Sequence, residues 1–379
     1  MSLYSEGADV APPLRVNRPR YRTGTERAAS IATLVATLIG MVLLVLPAPY
    51  VLESPGPVYN TLGTAADESG KQVPLMSITG TTVYPTTGSL NLLTVSLSGT
   101  PDRPPSWWNV IGAWIDPTQT VRPMDLFFPP GVSQKQVEEQ SQTDMVDSQQ
   151  DAIAAALVSL GYSIPLDVIV AGVSTGSPAD GILQPGDIIV SVNGAVMTGT
   201  EEVRTAVRTN GTSTAATVVL MRGGQNTTVQ VTPRSIQGSP ALGIAVGTAV
   251  RKGSTFPVDV KLQLDNVGGP SAGMMFALGI IDRLTPTPLT GGQSVAGTGT
   301  IDASGYVGPI GGISQKMWAA QRAGTKWFLA PRSDCPEVVG RVPPGLRVFA
   351  VATLAQARAV VEDIADGTAS DSLPICPAR

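Results

Sequence analysis

The stretch Gly268-Gly269-Pro270-Ser271-Ala272-Gly273 (GGPSAG) places a serine in a G-x-S-x-G pattern. This pattern is typical of a sharp turn that exposes a nucleophilic hydroxyl. A serine hydroxyl becomes strongly nucleophilic only when a neighbouring group takes its proton. None of the 379 residues is a histidine, so a Ser-His-Asp triad is excluded. The simpler interpretation is that Ser271 only caps the helix that follows it.

A lysine in an apolar setting is the candidate for the missing base. Lys316 follows the glycine-rich turn Gly308–Gly312 and enters a predicted helix. Burial lowers the pKa of a lysine from about 10.4 towards 7–8, at a cost of roughly 3–5 kcal/mol. A neutral lysine can then act as the base of a Ser-Lys pair. The alternative is a surface lysine with only its stem packed. The residues that share its helix face carry no carboxylate: Gly312, Ile313, Ala319 and Ala320.

The turn around Ser271 also predicts a site for an oxyanion. The first backbone N–H groups of a helix have no partner inside that helix. Such donors stabilise negative charge that develops on a carbonyl oxygen during attack. We therefore expect the backbone at Gly269 and Ala272 to supply these donors.

Composition excludes several other classes of function. Charged residues make up 14% of the sequence, and a net charge of −4 without a basic patch argues against nucleic-acid partners. The lack of histidine removes His-ligated zinc chemistry, and no Walker A sequence is present. We expect no metal and no cofactor. The 41 glycines and 32 prolines predict many turns and short strands, as in an α+β fold.

An apolar segment near the N-terminus predicts a membrane anchor. Residues Ala28–Leu46 carry no charge over 19 positions, which is close to the length that crosses a bilayer as a helix. The alternative is a cleaved signal peptide, although Pro47 and Pro49 make a poor cleavage site. By the positive-inside rule, the N-terminus is cytoplasmic and the remainder of this single-pass cell-membrane protein is extracytoplasmic. The preceding arginines are Arg15, Arg18, Arg20, Arg22 and Arg27.

The middle of the sequence holds a candidate peptide-binding module. Residues Val168–Gly194 (VIVAGVSTGSPADGILQPGDIIVSVNG) predict strands joined by tight turns, with Asn193-Gly194 as a hairpin signal. This run resembles a PDZ domain, which binds an extended segment or the C-terminus of a protein at an exposed sheet edge. We expect Gly161 and Tyr162, in the turn before the first strand, to bind the peptide carboxylate. The alternative is a spacer or inhibitory plug that binds no peptide.

GGPSAG followed by GTGTIDASGYVGPIGGISQK (297–316) closely resembles the Lon-type proteolytic domain, over residues 242–364. The resemblance implies that Ser271 is the nucleophile, that Lys316 is its base and that Thr298 orients the lysine. Gly268 occupies a position where many Lon proteases have an acidic residue. The ATPase module of soluble Lon is not found, so no ATP-driven unfolding is expected. The resemblance also suggests a ring-shaped homo-oligomer, with six subunits as the candidate number.

The order of these segments predicts that the PDZ domain is inserted in the Lon-type domain. The stretch Thr81–Leu97 predicts a β-hairpin that packs against residues after 240. A contiguous two-domain arrangement is the alternative. The predicted segments are a cytoplasmic tail (1–27), a transmembrane helix (28–46), a connector (47–70), a β-hairpin and helical segment (71–150), the PDZ domain (151–235), the Lon-like domain (236–365) and a C-terminal tail (366–379).

The only two cysteines, Cys335 and Cys376, both follow the predicted anchor. An oxidising compartment would allow them to form a disulfide that fixes the C-terminal tail. The alternative is a pair of free thiols.

Together these features predict a membrane-anchored, ATP-independent serine endopeptidase. Its PDZ domain is expected to capture unfolded, extended or C-terminal segments of envelope or secreted proteins. A non-catalytic PDZ adaptor or envelope chaperone on a protease-like scaffold is the main alternative. An esterase is a third interpretation of G-x-S-x-G, and the absence of histidine argues against it.

Overall fold

The computed structural model describes residues 24–66, 70–236, 238–264, 267–368 and 373–376. Most of the predicted cytoplasmic tail therefore lies outside the described residues. The same holds for Arg15, Arg18, Arg20 and Arg22, on which the predicted orientation depends, and for half of the predicted C-terminal tail.

Eight α-helices lie within the described residues. They are α1 (Gly24–Val45), α2 (Trp107–Ile115), α3 (Gln134–Ser159), α4 (Thr200–Asn210), α5 (Gly273–Leu284), α6 (Ile313–Arg322), α7 (Cys335–Val338) and α8 (Leu354–Ala365). The same residues contain twenty strands. They are β1 (Tyr50–Asn60), β2 (Thr64–Ala66), β3 (Gln72–Pro74), β4 (Met76–Thr79), β5 (Ser89–Ser98), β6 (Thr120–Pro123), β7 (Leu166–Val173), β8 (Ile188–Val192), β9 (Ala195–Val196), β10 (Ala216–Arg222), β11 (Gln225–Val231), β12 (Arg234–Ile236), β13 (Ser239–Ala241), β14 (Ile244–Val250), β15 (Asp259–Leu262), β16 (Ser294–Gly297), β17 (Thr300–Ile301), β18 (Val307–Gly308), β19 (Trp327–Pro331) and β20 (Arg347–Val351).

A six-stranded mixed sheet, in the order β20-β19-β16-β5-β1-β6, forms the centre of the α+β fold. Because successive side chains of a strand point to opposite faces, each strand contributes to two cores. Val295 of β16 packs with α3, α5 and α8, whereas the next residue, Ala296, packs with α6 and α7. Helices therefore cover both faces of the sheet.

The predicted PDZ residues separate strands of this sheet along the sequence, but those strands still pair directly with one another in the structure. Strands β1 and β5 precede the PDZ residues, and β16, which pairs with β5 in parallel, follows them. Strand β15 pairs with β4 across the same insertion. The prediction that the PDZ domain is inserted in the proteolytic domain is therefore confirmed, and the contiguous arrangement is wrong.

The predicted hairpin at Thr81–Leu97 is wrong. Residues 81–88 are irregular, and the antiparallel partner of β5 is β1, which lies within the predicted connector 47–70. The sequence of β1 includes Pro55, Gly56 and Pro57, which argue against a strand in the interior of a sheet. These residues fall where the pairing of β1 with β5 shifts register, so a β-bulge accommodates them.

The structure also moves both predicted boundaries of the PDZ domain. The boundary at 151 falls inside α3, whose buried run Ala152–Leu157 packs in the main core with α5 and α8. At the other end, β14 lies in the predicted Lon-like domain, but it pairs with β7 as the edge strand of the PDZ sheet. That sheet has the order β11-β10-β8-β7-β14, so the module extends from residue 166 to 250.

Helix α1 contains a segment, Arg27–Val45, that is long and apolar enough to span a membrane. It packs little against the rest of the protein, since none of this segment is buried. Further along the sequence, a disulfide joins Cys335 to Cys376, 41 residues apart. Close to this bond, the Ala350 N–H of edge strand β20 donates to the Pro374 carbonyl oxygen at 2.7 Å. The disulfide thus holds part of the C-terminal tail against the sheet edge.

Asp151 of α3 gives a prediction about stability. Burial, reinforced by the nearby carboxylates of Asp302 and Asp147, raises the pKa of Asp151 from 3.8 to about 7. A carboxyl with a raised pKa destabilises the folded state once it ionises there. The cost is absent below about pH 4, grows up to about pH 7 and is constant above that. We expect Asp151→Asn to raise the melting temperature at pH 8 and to leave it nearly unchanged at pH 4.

Thermal unfolding followed by circular dichroism between pH 4 and 8 measures this difference. Asp144→Asn, on the same helix, is the control for loss of a carboxylate. An Asp151→Asn effect that did not change with pH would show that the buried charge is not its cause.

Candidate active site

Ser271 lies at the start of α5, a helix that is almost entirely buried. Its position is fixed mainly through its own backbone carbonyl. That oxygen accepts hydrogen bonds from the Gly299 N–H at 2.9 Å and the Thr298 hydroxyl at 3.0 Å. In return, the Gly299 carbonyl accepts from the Met274 N–H at 3.1 Å. Ser271 is therefore held by the segment that follows β16, while its hydroxyl stays partly exposed.

Lys316 approaches Ser271 from α6, on the other side of the turn. Its side chain is buried, and its Nζ atom lies 2.7 Å from Ser271 Oγ. Helix α6 begins at Ile313 after Gly312, which has a φ of 67°. A Cβ at position 312 would lie 2.6 Å from Val95 Cγ2, so only glycine allows α6 to pack this closely on β5. This close packing brings Lys316 within reach of the serine.

Thr298, directly after β16, accepts a hydrogen bond from Lys316 and so orients its amine. Its hydroxyl proton is donated to the Ser271 carbonyl, so its oxygen is free to accept from Lys316 Nζ at 3.1 Å. A neutral amine has two N–H groups and one lone pair. With one N–H directed to Thr298, the lone pair can accept the Ser271 O–H proton. The arrangement can therefore convert the serine to a nucleophile.

Burial lowers the pKa of Lys316 from 10.5 to about 8, because the apolar surroundings disfavour the ammonium form. The carboxylate of Asp334 partly opposes this shift. Asp334 is itself buried, which raises its pKa, and it accepts a hydrogen bond from the Ile310 N–H at 3.0 Å. A substantial fraction of Lys316 is therefore neutral near pH 8.

Of the two backbone N–H groups expected to bind the oxyanion, one already has a hydrogen-bond partner in the structure. The Gly269 N–H donates to the Ser141 carbonyl of α3 at 2.9 Å, so it is not available, and that expectation is wrong. Within the described part of the protein, the Ala272 N–H has no hydrogen-bond partner. Of the two expected donors, only the Ala272 N–H is therefore available, and Ala272 lines the same cleft as Ser271.

Helix α3 supports the turn before Ser271, a role that was not predicted from the sequence. Ser148 Oγ donates to the Pro270 carbonyl at 2.9 Å. A Cβ at Gly268 would overlap Ser141 Oγ, so a side chain at this position would require the Ser141 hydroxyl to rotate away. Gly268 thus packs closely against α3. No local sequence signal indicates this contact, because α3 lies more than 100 residues earlier in the sequence.

Ser271 and Lys316 open onto a cleft of about 580 Å³ between β1, β5 and the turn 267–272. Strand β16 pairs with β5 only up to Leu92, so the segment Leu93–Leu97 borders the cleft with one edge unpaired by β16. An extended polypeptide can pair with such an edge. Buried Glu53 also lines the cleft, and burial raises its pKa although Arg122 Nε lies 3.7 Å away.

A second groove, of about 610 Å³, lies in the PDZ domain between α4 and β14. Gly161 and Tyr162 do not line it, so the structure does not bring them to this groove, and their role in peptide binding stays a prediction. Val173 of β7 pairs with Ile244, whereas Leu166 pairs with Val250. The turn before β7 therefore lies at the opposite end of β14 from the turn at residues 241–244. The strand that borders the groove comes last in the module, which was not predicted from the sequence.

The hairpin of β17 and β18 connects the PDZ groove with Ser271. Asp302, in this hairpin, accepts a hydrogen bond from the Thr248 N–H of β14 at 3.3 Å. The Ala303 N–H donates to the Thr248 carbonyl, also at 3.3 Å. The hairpin directly follows Gly299, which binds the Ser271 carbonyl. A single short element therefore contacts both the PDZ edge strand and the turn of the candidate nucleophile.

The described residues contain no group of three or more His, Cys, Asp or Glu side chains that could hold a metal ion.

The pKa of Lys316 predicts how the reactivity of Ser271 depends on pH. Only the neutral amine accepts the serine proton, so the rate of reaction with a fluorophosphonate should rise about tenfold per pH unit below pH 8 and level off above it. Lys316→Arg keeps the positive charge but provides no base, so it should abolish the reaction at every pH. Lys326→Ala, at an exposed lysine, is the control. A pH-independent rate in the unmodified protein would contradict the role of Lys316.

Two family models match the protein. Residues 169–220 match the PDZ domain, and residues 266–363 match the Lon protease (S16) C-terminal proteolytic domain. A solved PDZ domain of an SdrC-like protein from Listeria innocua is 23% identical, covers 21% of this chain and 92% of its own, and has a TM-score of 0.20.

Lon proteases are among the curated relatives. The Lon protease of Haemophilus influenzae is 39% identical over 89 residues, which are 23% of this chain and 11% of that protein. Lon protease 2 of Bacillus subtilis is 34% identical over 87 residues, which are 23% of this chain and 15% of that protein. The matches thus span a small part of the length of these relatives. Within this protein, they identify a PDZ domain and the C-terminal proteolytic domain of a Lon-type serine peptidase.

Proposed function

We propose that the protein is an ATP-independent, membrane-anchored serine endopeptidase in which Ser271 is the nucleophile and Lys316 the general base. The observation that carries this proposal is the 2.7 Å separation between Ser271 Oγ and the buried Nζ of Lys316. The lowered pKa of Lys316 and the hydrogen bond from Thr298 to the Ser271 carbonyl add support. The Lon-type match covers Ser271, Thr298 and Lys316.

The proposed reaction begins when Ser271 Oγ attacks a peptide carbonyl in the cleft. Neutral Lys316 takes the hydroxyl proton as the Oγ–C bond forms, and the Ala272 N–H donates to the oxyanion. Lys316 then gives its proton to the leaving amine as the C–N bond breaks. In the second half, Lys316 takes a proton from water as the water oxygen attacks the acyl carbon. The Oγ–C bond then breaks, Lys316 returns the proton to Ser271 Oγ, and the product leaves with a new carboxyl terminus.

The PDZ groove is proposed to bind the C-terminus of a substrate protein. The free edge of β14 at Ile244 and Val246 offers backbone groups, and the turn at residues 241–244 lies at the end where the carboxylate would bind. Arg204 and Arg208 of α4 line the same groove and favour a negative terminus. The contacts of Thr248 with Asp302 and Ala303 block the edge beyond this point, which limits pairing to the last few residues.

Anchoring by α1 would place both domains at one membrane surface. Its length and composition support this arrangement. The predicted orientation, with a cytoplasmic N-terminus and extracytoplasmic domains, is part of the proposal. Assembly into a ring-shaped homo-oligomer remains a prediction from the resemblance to Lon proteases.

The test is intact mass after exposure of the full-length protein in detergent to a fluorophosphonate, combined with cleavage of unfolded casein. We expect one adduct and casein cleavage in the unmodified protein. The rate of adduct formation and the rate of casein cleavage should each fall at least a thousandfold in Ser271→Ala and in Lys316→Ala. Ser314→Ala, two residues from Lys316 on α6, is the matched control. Undiminished cleavage by Ser271→Ala would refute the proposal, and absence of both adduct and cleavage would favour the non-catalytic adaptor.

The blocked edge of β14 gives a prediction about peptide length. We expect a tetrapeptide and an octapeptide with the same C-terminal four residues to bind with Kd values within about threefold of each other. The four extra residues find no free edge of β14 with which to pair. An octapeptide with an amidated C-terminus should bind at least about tenfold more weakly, since charge-assisted hydrogen bonds to the carboxylate are lost. Isothermal titration calorimetry measures all three. Octapeptide binding more than about tenfold tighter than tetrapeptide binding would show that the edge at Thr248 is accessible.

A further inference from the structure

Helix α2 has an unusual apolar face that points away from the protein. Trp108 is 56% exposed, Trp114 is 61% exposed and Ile115 is 79% exposed. Ile111 lies between them on the helix surface, because residues three and four apart are neighbours. Three of the five tryptophans of the protein lie in this nine-residue helix. An exposed cluster of this kind usually marks a surface that contacts a membrane or another protein.

The opposite face of α2 fixes the helix firmly to the protein. Val110 and Ala113 are buried and pack with Ala48 and with Leu52 of β1. The Ser106 hydroxyl accepts a hydrogen bond from the Asn109 N–H and caps the helix. The exposed tryptophans are therefore presented by a rigid element. Their exposure is not a consequence of a loosely attached segment.

The location of α2 indicates which partner covers this face. The Trp107 N–H donates to the Leu46 carbonyl at 3.2 Å, and the Ala48 N–H donates to the Pro105 carbonyl at 2.8 Å. The start of α2 is thus bonded to the residues that directly follow α1. If α1 spans a bilayer, Leu46 lies at the membrane surface, and α2 lies at the same level. Tryptophan is enriched at this depth, because its ring is apolar and its N–H is polar.

We propose that α2 is a second membrane contact, with Trp108, Trp114 and Ile115 inserted into the lipid headgroup region beside α1. This inference rests on the proposed anchoring by α1. It differs from anchoring alone, because a single helix leaves the attached domains free to tilt and rotate. Two contacts joined by hydrogen bonds fix the orientation of the proteolytic domain relative to the bilayer.

A fixed orientation determines which substrates reach the cleft. Strand β1 begins at Tyr50, four residues after Leu46, and carries Glu53, Pro57 and Tyr59 along the cleft. At ~3.3 Å per residue, these side chains lie at most about 10–30 Å further along the strand than Tyr50. Ser271 would therefore face polypeptide close to the membrane. The substrate class that this geometry favours is the extended segment of a membrane-anchored or membrane-bound protein, next to the lipid surface.

Quenching of tryptophan fluorescence by brominated lipids tests the inference. The full-length protein is placed in phosphatidylcholine nanodiscs with bromine on the acyl carbons nearest the headgroup, and in matched nanodiscs without bromine. We expect strong quenching of the unmodified protein. The double variant Trp108→Gln/Trp114→Gln should lose at least half of the quenched signal. Trp327→Phe, which changes a tryptophan on β19, is the control and should retain the quenching.

The possible failures can be told apart. If the protein does not co-elute with nanodiscs, the proposed anchoring by α1 fails, and the inference about α2 is overturned with it. If the protein co-elutes but the double variant is quenched as strongly as the unmodified form, only the inference about α2 is overturned. The inference is also overturned if bromine has no effect and Trp108→Gln/Trp114→Gln instead dissociates an oligomer in sedimentation. The face would then bind a second copy of the protein.

Discussion

The Nζ atom of Lys316 lies 2.7 Å from Ser271 Oγ, and the lysine is only 3% exposed to solvent. An amine in such a place has a lowered pKa, because no water stabilises its charged form. The elements around it maintain these conditions. Helix α6 approaches β5 closely at Gly312, and Thr298 accepts from the amine while donating to the Ser271 carbonyl. A looser structure would hydrate the lysine and return its pKa towards that of an ordinary surface residue.

Helix α3 links this arrangement to the rest of the molecule. Its second half is buried in the core of the proteolytic domain, and Ser141 and Ser148 contact the turn before Ser271. The PDZ strands begin shortly after it, and the hairpin of β17 and β18 returns from Ser271 to the PDZ edge strand. The PDZ domain is therefore joined to the region of the candidate nucleophile from two sides. The PDZ groove and the turn of Ser271 are therefore connected by direct contacts.

The predictions from sequence succeeded where a pattern depends on adjacent residues. The apolar surroundings of Lys316 follow from helical spacing, and in the structure Ile313, Ala319 and Ala320 are buried beside it. The predictions failed where distant segments meet. Strand β1 lies in the predicted connector because its prolines disfavour a strand. In the structure they lie at a bulge opposite β5, beyond the last pair of β1 with β6. Gly269 is an expected donor to the oxyanion, but α3 takes its N–H through the Ser141 carbonyl.

Residue types and local order were enough to select the candidate reacting groups: a serine in a tight turn and a lysine without a local carboxylate, in a sequence that has no histidine to act as the base. They were also enough to order the domains, because local turn and strand signals identify each module. The distance from Ser271 to Lys316, the pKa of the lysine and the position of the PDZ groove are set only by the folded structure. These properties depend on burial and on pairing between segments far apart in the sequence. The groove borders β14 because β14 pairs with β7, which lies more than 70 residues before it.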